Sequence, residues 1–142
     1  MVRRLLVKYF TNKVLFKIFD TKIKPIILYG SEIWGVKRYE KVDNVHMKFC
    51  KIVLNVGKTT WNFAAIAECG RYPMYVDYHL RAIKYWCKLI TSDKERYISK
   101  CYSLMFQHDS SGRHNWASDI RILLCSLGFG HVWFAQSVGD RR

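Results

Sequence analysis

His46 and Cys50 stand four residues apart, a spacing that brings two side chains to one face of a helix. A histidine beside a thiol is the raw material of nucleophilic catalysis. Lys48 and Lys51 add the positive charge that favours a thiolate. The register argues the other way. Cys50 follows Phe49 on the apolar side of its segment, which makes it a packing cysteine, a small hydrophobe rather than a nucleophile. The remaining histidines, His79, His108, His114 and His131, are far apart in sequence. Zinc sites draw on closely paired Cys and His ligands, and neither a Cys-x-x-Cys nor a His-x-x-x-His occurs. His108 and His114 with Cys101 or Cys125 form the one set worth weighing, and ordinary loop and core histidines account for it better. Asp20, Glu32, Glu40 and Asp43 are candidates for an acidic two-metal cluster, but no pattern brings them together. There is no Gly-x-Ser-x-Gly and no glycine-rich phosphate loop. The residues therefore predict no catalytic group, no metal and no cofactor.

Charge carries the stronger signal. The 142 residues hold 24 Lys and Arg against 11 Asp and Glu, a net charge of +13. The excess is concentrated early: 13 basic and 4 acidic residues up to residue 60, against 11 and 7 after it. Such a field attracts polyanions and speeds their encounter. Lys13, Lys17, Lys22, Lys24, Lys48 and Lys51 are the residues expected to contact phosphates. Tyr9, Tyr29, Trp34 and Tyr39 are of a type that stacks on bases, although burial suits Tyr29 and Trp34 better. The five cysteines (50, 69, 87, 101 and 125) are odd in number and widely spaced. They are expected to be reduced thiols packed as hydrophobes, as in the cytosol or nucleus. Met1 leads into Arg3, Arg4, Lys8 and Lys13 without an apolar run, and no segment nears the ~18 apolar residues of a membrane span. The protein is expected to be neither secreted nor bound to a membrane.

The elements that must position these residues are helical. Half the residues are hydrophobic, enough for a folded domain. Apolar residues recur at spacings of three and four throughout, and no alternating strand pattern occurs. Helices are expected over 2–10, 13–23 and 38–54, the last with a stripe of Val42, Val45, Phe49, Ile52 and Val53 ending near Gly57. Pro25 reads as the first residue of a new turn or as a kink. Ile26 to Tyr29 then read as a buried helix, although a buried strand would look similar. Thr60 is expected to cap a helix from Trp61 to Cys69, and Pro73 to open one that buries Val76, Leu80, Ile83, Cys87 and Ile90, with Trp86 and Leu89 beside them. Asp93 is placed to cap a helix with Ile98, Cys101, Tyr102 and Met105 in register, followed by a polar loop over 108–112. Asn115 is placed to cap a helix with Ile120, Leu123, Leu124 and Leu127 inward; a last short helix and a polar tail, Gly139 to Arg142, follow. The fold class is all-α, an irregular array of about seven helices in one domain or two small subdomains. The charge step near Asn55–Thr60 suggests a basic segment, 1–57, and a C-terminal segment, 58–142.

A run of phrases adds a resemblance. Ile-Lys-Pro-Ile-Ile-Leu-Tyr-Gly-Ser-Glu-Ile-Trp-Gly at 23–35 is followed in order by Val45-His46-Met47-Lys48-Phe49-Cys50-Lys51, Gly70-Arg71-Tyr72-Pro73-Met74 and Ile83-Lys84-Tyr85-Trp86. Asn115-Trp116-Ala117-Ser118 and Leu127-Gly128-Phe129-Gly130-His131-Val132-Trp133 complete the series. Across nearly its whole length the chain resembles the region downstream of the palm in non-LTR (LINE-type) retrotransposon reverse transcriptase polyproteins. The resemblance implies a helical thumb and following segment that helps hold the template–primer duplex. The implied partners are RNA, DNA or their hybrid and, in a full-length element, the polymerase palm. The Tyr/Phe-x-Asp-Asp palm motif is absent, as are the finger motifs and an endonuclease domain, so no catalytic residue transfers. The chain is similar to a truncated or domesticated fragment, or one cut from a longer element. The alternative expectation is a helical protein-interaction or structural module.

Overall fold

Pro25 has no N–H, and its ring clashes with the carbonyl four residues back, so a regular helix cannot run through it unchanged. In the computed structural model, which describes residues 11–137, the chain answers with a change of pitch. Helix α1 (Asn12–Ile18) widens into a π turn (Phe19–Ile23), where the Lys24 N–H reaches back five residues to the Phe19 carbonyl. It resumes as α2 (Lys24–Ile27), with Pro25 in the first turn, where a missing N–H does least harm. The expected turn start or kink at Pro25 is thus found as a π turn. The helix expected over 2–10 and the tail from Gly139 lie outside the described residues.

The other helices are α3 (Ser31–Trp34), α4 (Glu40–Val53), α5 (Asn62–Glu68), α6 (Met74–Ile90), α7 (Tyr97–Ser110), α8 (Trp116–Ser126) and α9 (Gly130–Ala135). The protein is all-α, and no strand occurs among the described residues. The chain divides into two compact units. One comprises the residues up to Tyr29 with Arg38–Asp77; the other comprises Gly30–Lys37 with the residues from Tyr78. The charge step at 57/58 falls inside the first unit.

The first unit buries Leu15, Phe19, Leu28, Cys50, Val53, Ala65, Ile66 and Met74. It also buries Asp43 and His46 on the inner face of α4. That face differs from the expected stripe: Val45 is exposed, and Phe49 is half-buried against Phe19, ring centroids 4.5 Å apart. The reason is polar. Asp43 Oδ1 accepts the Tyr75 backbone N–H at 3.0 Å, and Asp43 Oδ2 accepts from Arg38 Nε at 3.2 Å. Tyr75 lies in the first turn of α6, whose amide groups have no partner within their own helix. A carboxylate on α4 supplies one, and this turns the helix. The exit of α4 is set by Asn55 rather than Gly57: Asn55 takes φ 55°, and the Val56 N–H returns to the Lys51 carbonyl at 3.1 Å.

In the second unit α6 also turns away from expectation. Tyr78, Ala82, Trp86 and Leu89 are buried, while Val76 and Leu80 are exposed. Aromatic area outweighs aliphatic area here, with Trp86 stacked on Trp133 at 5.7 Å. The Trp86 indole donates to the Tyr102 hydroxyl, which donates to Gln136 Oε1, both at 2.8 Å. Ile120 and Leu124 close this core with Ala117, but Leu127 is exposed. Asn115 does cap α8, through a full capping box with Ser118. Two other expected caps shift. Trp61 rather than Thr60 precedes α5, and Asp93 holds a turn by accepting the Glu95 N–H, ahead of an α7 that starts at Tyr97 and runs through His108 to Ser110.

The stretch Ile26–Tyr29 is helical at first, but only Leu28 is buried; Ile26 is 77% exposed and Tyr29 86%. The expectation of a buried element is corrected. Four residues of helix ending at Gly30 in the left-handed region give too short a surface to bury more than one side chain. Cys101 and Cys125 are likewise exposed rather than packed, while Cys50 is fully buried. No described helix is long and apolar enough to cross a membrane.

Candidate nucleic-acid interface

The outer face of α4 carries Asn44, Met47, Lys48, Lys51 and Ile52, because its inner face is committed to Asp43, His46, Cys50 and Val53. Beyond α4 the chain turns at Asn55 and returns through Val56 and Lys58 to Asn62, at the start of α5. Between them lies a groove of about 650 Å³ lined by these residues. Lys48, Lys51 and Lys58 bring three positive charges to it, and none of the described lining residues is acidic. Lys51 Nζ donates to the Lys58 carbonyl at 2.8 Å, which holds the returning loop to the helix. Met47, Ile52 and Val56 give the floor apolar atoms, and the two asparagines give it neutral donors and acceptors.

Of the six lysines expected at phosphates, the groove brings together Lys48 and Lys51. Lys13, Lys17 and Lys22 are exposed on the first helical run of the same unit. Lys24 is half-buried and engaged with Asp77 at 2.8 Å. Lys58, Asn44 and Asn62 were not singled out in the sequence. Lys58 sits in a loop with no helical register, and only the Asn55 turn shows that it faces Lys51. Among the base-stacking candidates Tyr29 is exposed, not buried, whereas Trp34 is half-buried, 5.3 Å from the Tyr78 ring.

A second cavity of the first unit, about 300 Å³, has a different character. His46 lines it with Phe16, Phe19, Lys24, Arg71 and Asp77. Its charges are matched: Lys24 pairs with Asp77 and Arg71 with Asp20, while the Arg71 guanidinium also lies over the Phe16 ring at 4.8 Å. His46 stacks on Phe19 at 5.2 Å, is 3% exposed, and has no hydrogen-bond partner at either ring nitrogen. Burial lowers its pKa to about 4, helped by the nearby charges of Arg71 and Lys24, so the ring is neutral at pH 7. Cys50, one turn along α4, has its thiol pushed up to about 12, by burial first and then by Cys69. A protonated thiol beside a neutral imidazole is a packed pair, not a nucleophile and base.

Elsewhere His114 Nε2 meets Asp119 at 2.9 Å, and Asp119 also faces Lys37 at 3.3 Å. Among the described residues no three His, Cys, Asp or Glu side chains come together as a metal site would require. Comparison with protein-family models, with curated proteins and with solved structures finds no match to this chain.

Proposed function

We propose that this protein binds nucleic acid through its phosphates, without sequence preference, as a non-catalytic helical fragment of a retrotransposon-type reverse transcriptase. The observation that carries the reading is the groove of Lys48, Lys51 and Lys58, free of acidic lining among the described residues, on a chain of net charge +13. Released counterions drive such binding, so it weakens steeply with salt. The resemblance at 23–35 and beyond supports the same reading, and it names RNA, DNA or their hybrid as the partner.

The test is the affinity of a labelled oligonucleotide across roughly 50–200 mM salt. If Lys48, Lys51 and Lys58 each neutralise one phosphate, the log–log slope is about −2 to −3, and the double variant Lys48→Glu/Lys58→Glu flattens it. Affinity indifferent to salt, or to that variant, overturns the reading.

A second reading is a docking module for another protein. Ile26 and Tyr29, 77% and 86% exposed, favour it, because large apolar side chains at adjoining positions mark interaction surfaces. The resemblance names the polymerase palm as the first partner to try. Co-purification with a palm domain that is lost in Ile26→Asp supports this reading; unchanged co-purification removes it.

A further inference from the structure

Two exposed aromatic residues flank one residue of the lysine groove. Trp61 immediately precedes Asn62, a groove residue, and is 71% exposed; Phe63 follows it and is 51% exposed. Their rings meet edge to face, centroids 5.9 Å apart. Asn44, Met47 and Asn62 also line an adjoining recess of about 260 Å³, to which Phe63, Arg38 and the carboxylates Glu40 and Asp43 contribute. Two large exposed aromatic side chains thus flank Asn62, and Phe63 lines a recess that shares Asn44, Met47 and Asn62 with the cationic groove. Neither is needed to start α5, since Trp61 makes no side-chain cap and the buried residues of that helix are Ala65 and Ile66.

We infer that the groove holds a single strand, RNA or DNA, with its phosphates along Lys48, Lys51 and Lys58 and an unpaired base stacked on Trp61. This rests on the nucleic-acid reading above and narrows its substrate. A cationic groove tracking the backbone beside aromatic rings that stack bases is the arrangement by which proteins hold single strands. A duplex keeps its bases stacked on one another, so it can offer phosphates to the lysines but no free face to Trp61. The size agrees. A volume of 650 Å³ falls in the ~300–1,000 Å³ range of pockets that enclose small molecules. Asn44 and Asn62 line the groove, and their amides can donate to or accept from a base edge.

The experiment compares a labelled single-stranded RNA, a single-stranded DNA and a duplex of one sequence, roughly 12 nucleotides long. Each is titrated against the full chain and against Trp61→Ala, Trp61→Phe and Lys48→Glu/Lys58→Glu. Single strands are expected to bind more tightly than the duplex. Trp61→Ala lowers single-strand affinity about fivefold or more and leaves the duplex unchanged, while Trp61→Phe retains most of the affinity. The RNA and DNA arms show which strand is preferred. Equal affinity for strand and duplex, with Trp61→Ala silent, overturns the single-strand inference, while a loss in the lysine variant keeps the phosphate reading. No binding of any nucleic acid by the unaltered chain overturns both. Trp61 is exposed, so its variants are expected to keep the native helical circular dichroism, and that spectrum is recorded alongside.

Discussion

Lys51 holds Lys58 in place: its side-chain Nζ donates to the Lys58 carbonyl at 2.8 Å, and its own carbonyl accepts the Val56 N–H at 3.1 Å, fixing the turn that leads there. One residue thereby joins the helical wall of the groove to the loop wall. Lys51→Met keeps the apolar stem but removes both the charge and the tether. Oligonucleotide affinity is expected to fall further than in Lys48→Met, which removes a charge alone. Amide exchange at Thr60, whose N–H bonds to the Gly57 carbonyl, is expected to quicken. Equal losses in the two variants would mean that the tether does not shape the groove.

His46 makes the fold sensitive to acid. Its pKa is about 4 when folded against 6.5 in a free chain. Between those values the unfolded chain binds a proton that the folded chain refuses, so stability rises with pH there and is lost on acidification. The loss begins below about pH 6.5, is complete near pH 4, and amounts to roughly 3 kcal/mol. His46→Phe keeps a ring on Phe19 and removes two buried nitrogens that have no partner. It is expected to be at least as stable at pH 7 and to lose less stability by pH 5. Urea midpoints at the two pH values measure this, and parallel shifts in both proteins would exonerate the histidine.

Gly35 has no room for a side chain. A Cβ there would meet the Ser31 carbonyl and stand 2.7 Å from that of Tyr78, both backbone atoms that cannot step aside. The Gly35 carbonyl in turn accepts from His79 Nδ1 at 2.7 Å. Gly35→Ala is expected to cost about 1–3 kcal/mol by forcing the backbones apart. Gly70→Ala is a contrasting control, strained by its φ of 62° but with open space around it. A denaturation midpoint unchanged in Gly35→Ala would show that the contact yields freely.

Asn115 does three jobs. Its Oδ1 accepts the Ala117 N–H at 2.8 Å, its own N–H donates to Ser118 Oγ at 3.1 Å, and its Nδ2 donates to the Met105 carbonyl at 2.8 Å. The first two cap α8, and the third ties α8 to α7. Asn115→Ala is expected to cost more than Asn115→Asp, which keeps the cap and loses the tie. A lost cap alone is worth about 0.5–2 kcal/mol. Thermal denaturation of the two variants separates the contributions.

Much was legible in the sequence because it depends on neighbours along the chain. Three- and four-residue spacing specifies helices wherever it persists, so the all-α class follows from composition and period alone. Asn115 could be named as a cap because a cap binds within its own helix. Pro25 announced a disturbed helix because its ring and missing N–H act within one turn. Lys48 and Lys51 were visible as basic residues beside an apolar stripe.

What the tertiary structure decided are the choices between faces and the company of loops. Asp43 turned α4 because its partner, Tyr75, is 32 residues away. Trp86 turned α6 because Trp133 was there to receive it. Ile26 and Tyr29 look buried by hydrophobicity, yet a side chain is buried only where another surface covers it. Lys58 carries no periodic signal, and it joins the groove because a left-handed Asn55 folds the chain back on α4. Period and composition act through the local backbone, so the sequence by itself settled which segments coil and where charge gathers. Contacts between distant segments required the fold, and the groove between α4 and the loop that returns to α5 is made of such contacts.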